Sequence, residues 1–207
     1  MASKTIKMAQ TSLLLTLLSP TSLAAQVQHG GLTVTYSDAR DRLQLGAVFR
    51  AWDAAARDLK ALGLPPPAKV SVFAASGAAN FTALTGESAN IAASTRGATI
   101  YTQRLTALAL SGRLPITIRH EAFHTAQPAG TPRWLAEGLA RTFSGKANND
   151  PPGLTGLGNL SADELDARLL SRDPARLNAA YTEATRRAGQ TVRLKGWKAA
   201  LAGKLSP

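Results

Sequence analysis

His120-Glu121-Ala122-Phe123-His124 sets two imidazoles four residues apart with a carboxylate between them. In a helix, residues i and i+4 share one face a turn apart, so two neutral ring nitrogens can meet a single Zn²⁺ about 2.0 to 2.1 Å away. Glu121 then lies one residue round the helix from His120. It is close enough to take a proton from a water at the metal without being a ligand. A tetrahedral catalytic centre needs a third protein ligand and one open position.

A candidate for that ligand follows soon afterwards. Thr125-Ala126-Gln127-Pro128-Ala129-Gly130 is rich in helix breakers, and Thr131-Pro132 then reads as a helix start, with a capping hydroxyl and a proline in the first turn. The second helix runs through Trp134, Leu135 and Leu139, whose apolar surface should pack on the first. Glu137 sits mid-helix among Leu, Ala and Gly, a poor place for a carboxylate unless a charge awaits it. A zinc ion would be that charge.

His120 to His124, followed by Pro132-Arg133-Trp134-Leu135-Ala136-Glu137-Gly138-Leu139-Ala140, resembles the gluzincin metallopeptidases, in particular the small bacterial peptidase MA-like domains. The likeness covers about 25 residues, and beyond them it is one of element order. It implies His120, His124 and Glu137 as the ligands of Zn²⁺, Glu121 as general base, peptide hydrolysis as the activity, and a zincin-like α+β fold. That fold would have a small N-terminal mixed sheet with helices, an active-site helix and a mainly helical C-terminal lobe. The upper lobe would cover about 25–127 and the lower about 128–207. Two departures stand out. Where thermolysin-like relatives carry an aspartate four residues beyond the ligand glutamate, this chain has Arg141, and no tight motif marks the group that stabilises the transition state. Tyr181, in the lower lobe after the glutamate helix, is the candidate by resemblance; a core aromatic with its hydroxyl at the surface is the competing reading.

The elements that must position these residues read from periodicity. Leu32 to Tyr36 alternates as a half-buried strand, and Leu45, Val48, Phe49, Trp52, Ala55, Ala56, Leu59 and Leu62 follow the stripe of an amphipathic helix that Gly63 and Pro65 to Pro67 end. Lys69 to Phe73 is a second strand, a helical turn fits Ala78 to Leu84, and Ile91 to Ser94 with Ala98 to Tyr101 flank a turn at Thr95-Arg96-Gly97. One arm of that hairpin, by resemblance, would pair with an extended peptide substrate. Leu105 to Leu114 is a short helix or loop; Pro115 opens the metal helix, with Ile116, Phe123 and Ala126 expected inside. Residues 144–160 form an irregular loop and a plausible cleft rim. Ser161 to Glu164 is a capping box, and two more helices are expected over Arg176 to Ala188, ending at Gly189, and Thr191 to Leu205. His29 is expected as an exposed histidine near the mature terminus.

Residues 1–24 read as a cleavable signal peptide: Lys4 and Lys7, an apolar Leu13 to Leu18, then Ser22-Leu23-Ala24 as the cleavage site. The apolar run is far shorter than the roughly 20 residues of a membrane span, although an uncleaved N-terminal anchor is the alternative. The expected location is outside the cell, in the periplasm or in the envelope. The chain has no cysteine, which excludes disulfides and a lipid-modified cysteine. The remaining residues fit one domain. The net charge of +11 falls by two when Lys4 and Lys7 leave, since no acidic residue precedes Ala25. So basic a chain favours anionic partners, but its Lys and Arg are scattered and no nucleic-acid motif accompanies them. The expected partners are therefore a peptide or protein substrate and peripheral contact with an anionic envelope surface, with no specific nucleic acid and a monomeric state. Three functions follow from these readings: an exported zinc peptidase, a zinc-bound but non-proteolytic binding or regulatory module of the envelope, and a basic binder in which the motif is incidental.

Overall fold

The computed structural model describes residues 24–150, 153 and 155–203, so the expected signal peptide lies, but for Ala24, outside the described residues. Five strands form one mixed sheet. β1 (Ala25–His29) pairs antiparallel with β2 (Leu32–Tyr36); β2, β3 (Val70–Ala74) and β5 (Thr99–Thr102) run parallel; β4 (Ala93–Arg96) returns antiparallel along β5. The order across the sheet is β1-β2-β3-β5-β4, which leaves β1 and β4 as its edges.

The alternation expected at Leu32 to Tyr36 is realised, with Leu32, Val34 and Tyr36 buried. Helix α1 (Leu45–Ala61) crosses from β2 to β3 and buries Leu45, Val48, Trp52, Ala55 and Leu59 on its inner stripe. α2 (Ala78–Thr85) and α3 (Leu105–Leu110) are short; α4 (Leu114–Ala126) and α5 (Arg133–Ser144) carry the His120–His124 and Glu137 stretches. α6 (Ala162–Arg168) and α7 (Pro174–Leu201) complete the fold. A single apolar cluster runs from Leu32 through Ile118 and Phe123 to Ala188 and Ala200, so sheet and C-terminal helices share one core. The architecture is α+β, with seven α-helices and one five-stranded sheet among the described residues. No helix among them is long and apolar enough to cross a membrane.

Several expectations are corrected. α5 begins at Arg133, with Pro132 as the preceding residue, and Thr131 does not cap it: the Thr131 hydroxyl donates to the Pro128 carbonyl. The free amides of Arg133 and Trp134 instead donate to the carboxylate of Asp166 on α6, at 3.2 and 2.5 Å. The helix is thus started by a side chain distant in sequence, which fixes α6 against the turn between α4 and α5. The break expected at Gly189 occurs at Gly196, whose φ of 77° leaves the helical region while Gly189 continues α7. Ile116 is half-buried and lines the cleft; Leu114, Ile118 and Ala122 join Phe123 in the interior. His29 is exposed, as expected, but belongs to β1 rather than to a tail, and it stacks on Phe49 at 4.6 Å and bonds Asp53 at 2.9 Å. The capping box is present, with Ser161 Oγ accepting from the Glu164 amide and Glu164 accepting from the Ser161 amide.

Candidate metal centre

α4 is buried on most of its circumference, packing against α1, α5 and the β4–β5 hairpin. Leu114, Ile118, Ala122 and Phe123 meet the core, and the remaining face turns His120, Glu121 and His124 into a cleft of about 1720 Å³. α5 packs on α4 and presents Glu137 from the other side. α7 is held close to α5 at Gly138, where a Cβ would lie 2.3 Å from the Ala184 carbonyl oxygen. Only glycine permits that approach, and it brings the first turns of α7, with Tyr181, to the cleft wall.

Three donor atoms converge. His120 Nε2 and His124 Nε2 are 3.1 Å apart, and Glu137 Oε2 lies 3.4 Å from the first and 3.7 Å from the second. Tetrahedral geometry with zinc bonds of about 2.0 to 2.1 Å puts ligand atoms roughly 3.3 Å apart, so the spacing fits such an ion without rearrangement. The charge state fits as well. Burial depresses the His120 pKa and outweighs the pull of Glu137, leaving that imidazole neutral. Burial presses on His124 too, but the charges of Glu137 and Glu121 and the bond to Gln127 prevail and raise it. Glu137 is held well below the usual carboxylate range: burial opposes ionisation, and His124 and His120 overcome it. A half-buried carboxylate flanked by two imidazoles therefore gathers positive charge, which a divalent cation can supply in place of the proton on His124.

Glu121 is 4 % exposed and stands outside this cluster. Its Oε2 accepts a 2.7 Å bond from the Thr95 hydroxyl on β4. His124 is oriented by Gln127, whose Oε1 is 2.9 Å from Nδ1. His120 Nδ1 is buried without a hydrogen-bond partner among the described residues. The position where an aspartate might have served a histidine is Arg141, which does something else: its Nε donates to Thr185 Oγ1 at 2.7 Å, it pairs with Asp150, and its guanidinium lies 5.5 Å from the Tyr181 ring centre. Arg141 therefore ties α5 to α7 and to the loop that follows α5. Tyr181 lines the same cleft as the three donors; burial pushes its phenol pKa up and the Glu137 charge adds to the rise, so it stays protonated. His29 is outside this cleft's lining.

Thr95, Gln127 and Lys146 also line the cleft, and sequence reasoning did not single them out. Gln127 carried a usable signal, since it follows His124 by three residues at the helix end. Thr95 carried none, because its partner is distant in the chain. The terminal strand β4 and residues of the segment after α5, including Asn149 and Thr155, line the same cleft. Compared with known proteins, the chain matches no family model, no curated protein and no solved structure.

Proposed function

We propose that this chain is a zinc-dependent peptidase of the gluzincin kind with a zincin-like fold, exported by its N-terminal segment and acting outside the cell, in the periplasm or in the envelope. One observation carries the reading: His120 Nε2, His124 Nε2 and Glu137 Oε2 lie 3.1 to 3.7 Å from one another, while Glu121 faces the same cleft outside that cluster. A bound Zn²⁺ would lower the pKa of its water toward about 7 and polarise a peptide carbonyl. Glu121 takes the proton from the attacking water and returns it to the leaving amine. Thr95 occupies one carboxylate oxygen of Glu121, which leaves the other to face the water. Tyr181 keeps its phenol proton and donates it in a hydrogen bond to the carbonyl oxygen as charge develops there. The free edge of β4 pairs with the peptide main chain.

A second reading has an observation of its own. The unpartnered His120 Nδ1 and the replacement of an acidic neighbour by Arg141 leave one ligand unbraced, as suits a zinc-binding module that does not turn over peptide. Elemental analysis and peptide hydrolysis separate the two. The peptidase holds about one zinc per chain, loses hydrolysis on chelation, and as Glu121→Gln keeps the metal without turnover. Hydrolysis by that variant at the unaltered rate would remove Glu121 as the base. Zinc with no turnover by the unaltered chain would favour the binding module.

A further inference from the structure

Charge is distributed unevenly along the cleft. Six cations line it: Arg96, Arg113, Arg133, Arg141, Lys146 and Arg172. Arg96 donates to the Thr85 carbonyl and lies over the Tyr101 ring, and Arg141 is matched by Asp150. The other four have, apart from the metal-centre carboxylates, only Glu87 against them in the lining.

Lys146 is the deepest of the four. Gly145, at φ 79°, ends α5 and turns the chain so that Lys146 is half-buried in the cleft. Among the described residues its ammonium has no hydrogen bond or ion pair. Burial pushes its pKa down, Arg141 and Arg113 push the same way, and Glu121 and Glu137 oppose them. The lysine is thus within electrostatic reach of both site carboxylates and lacks an anion of its own. Arg113 precedes the first turn of α4, seven residues before His120, or about 10 Å along a helix. Its Nε is used by Ser111 Oγ at 3.0 Å, and the other guanidinium nitrogens carry no bond among the described residues. Where α4 begins and α5 ends, two cations therefore line the same cleft, each without an ion-pair partner among the described residues. A cation half-removed from water gains most from a partner that brings negative charge.

We propose that this end of the cleft, between Lys146 and Arg113, binds a substrate carboxylate, so that acidic peptides are the class the site takes; the proposal rests on the peptidase reading for its occupant. An acidic side chain, seated beside the metal centre, receives a charge-assisted hydrogen bond from Lys146 while the peptide main chain lies along β4. The excess of cations around the cleft also draws such peptides in and repels basic ones.

The test uses the full chain and octapeptides with a neutral coumarin label, in which one position at a time is Glu, Gln or Lys. Binding is read by anisotropy on Glu121→Gln, and cleavage on the unaltered chain. At one position the Glu peptide should bind about tenfold tighter than the Gln peptide, with Lys weakest. Lys146→Met should abolish that preference, Lys146→Glu should invert it, and Lys146→Arg should keep it, with circular dichroism verifying that each variant is folded. Equal affinity for the three peptides at every position, or a preference that survives Lys146→Met, overturns the proposal. So does a duplex DNA fragment that displaces the Glu peptide and binds more tightly through Lys146, since the site would then take a polyanion. The two readings fail separately. Acid preference without cleavage ends the peptidase reading and leaves the carboxylate site standing; cleavage indifferent to charge does the reverse.

Discussion

Thr95 donates its hydroxyl proton to Glu121 Oε2 across 2.7 Å, joining the terminal strand of the sheet to the carboxylate that shares a cleft with His120, His124 and Glu137. The strand that would hold a peptide and the group that would activate water are therefore one bond apart. Glu121 is buried, and the Thr95 bond fixes one of its carboxylate oxygens.

Thr95→Val removes that donor while keeping the side-chain volume. The lost bond is to a charged group, worth about 1.5 to 3 kcal/mol, so kcat should fall by at least about tenfold with KM little changed. Thr95→Ser should restore most of the rate. Steady-state kinetics on one peptide decide it; a valine variant as fast as the unaltered chain would leave Thr95 without a role in orienting the base.

Gly138→Ala tests the close approach of α5 and α7. The new Cβ would lie 2.3 Å from the Ala184 carbonyl oxygen and 2.7 Å from the Ala188 Cβ, distances that only a shift of the helices can relieve. Overpacking of this kind costs about 1 to 3 kcal/mol, and each kcal/mol lowers the melting temperature of a chain this long by about 2 to 4 °C. Because Tyr181 rides on α7 one turn before Ala184, hydrolysis should fall further than stability alone explains. A variant that melts like the parent would mean the helices are further apart than found.

How much of this was visible in the sequence depends on how local each signal is. α1, β2 and β3 announce themselves because their buried faces repeat with the period of the element, whereas α4, buried on most sides, is marked by His120, Glu121 and His124 falling within little more than one turn. β1 gave no such signal: Ala25 to His29 is an edge strand with only Val27 packed against the core, so its outer residues are free of any pattern. The cap of α5 comes from Asp166 and the bond to Glu121 from Thr95, and neither partner is near in the chain. The two glycines of α7 look alike in the sequence. Gly189 keeps helical φ/ψ, with Thr142 Oγ1 3.8 Å from where a Cβ would sit, and simply continues the helix, whereas Gly196 takes a positive φ and bends it.

Removing Glu137 separates metal binding from folding. Glu137→Ala leaves two imidazoles and no carboxylate, so the retained zinc should drop well below one per chain by elemental analysis. Zinc at a hundred times its dissociation constant stabilises a folded chain by about 2.7 kcal/mol, and that gain should appear in the melting temperature of the unaltered protein and vanish in the variant. Equal zinc-induced shifts in both would place the ion elsewhere.

Glu183 supplies the acid limb of stability. Its side chain is 1 % exposed, and it is gripped by Thr155 Oγ1 at 2.7 Å, by Arg186 at 2.6 and 2.9 Å and by Arg187 at 2.7 Å. Arg187 in turn donates to the carbonyls of Leu157, Gly158 and Leu160, so this one carboxylate fastens the loop after α5 to α7. Burial alone would raise its pKa, but the bonds from Arg186, Arg187 and Thr155 prevail and hold it at about 2, below the ordinary 4.5. A carboxylate depressed in the folded state stabilises the fold fully above its unfolded pKa, and that contribution is lost as the pH falls through the folded one. Between about pH 4.5 and 2 the melting temperature of the unaltered chain should therefore drop more steeply than that of Glu183→Gln, which has no such charge to lose. At pH 7 the glutamine variant should be the less stable, because Arg186 and Arg187 lose their counter-charge. Parallel melting curves across that acid range would show that the loop is held by something other than Glu183.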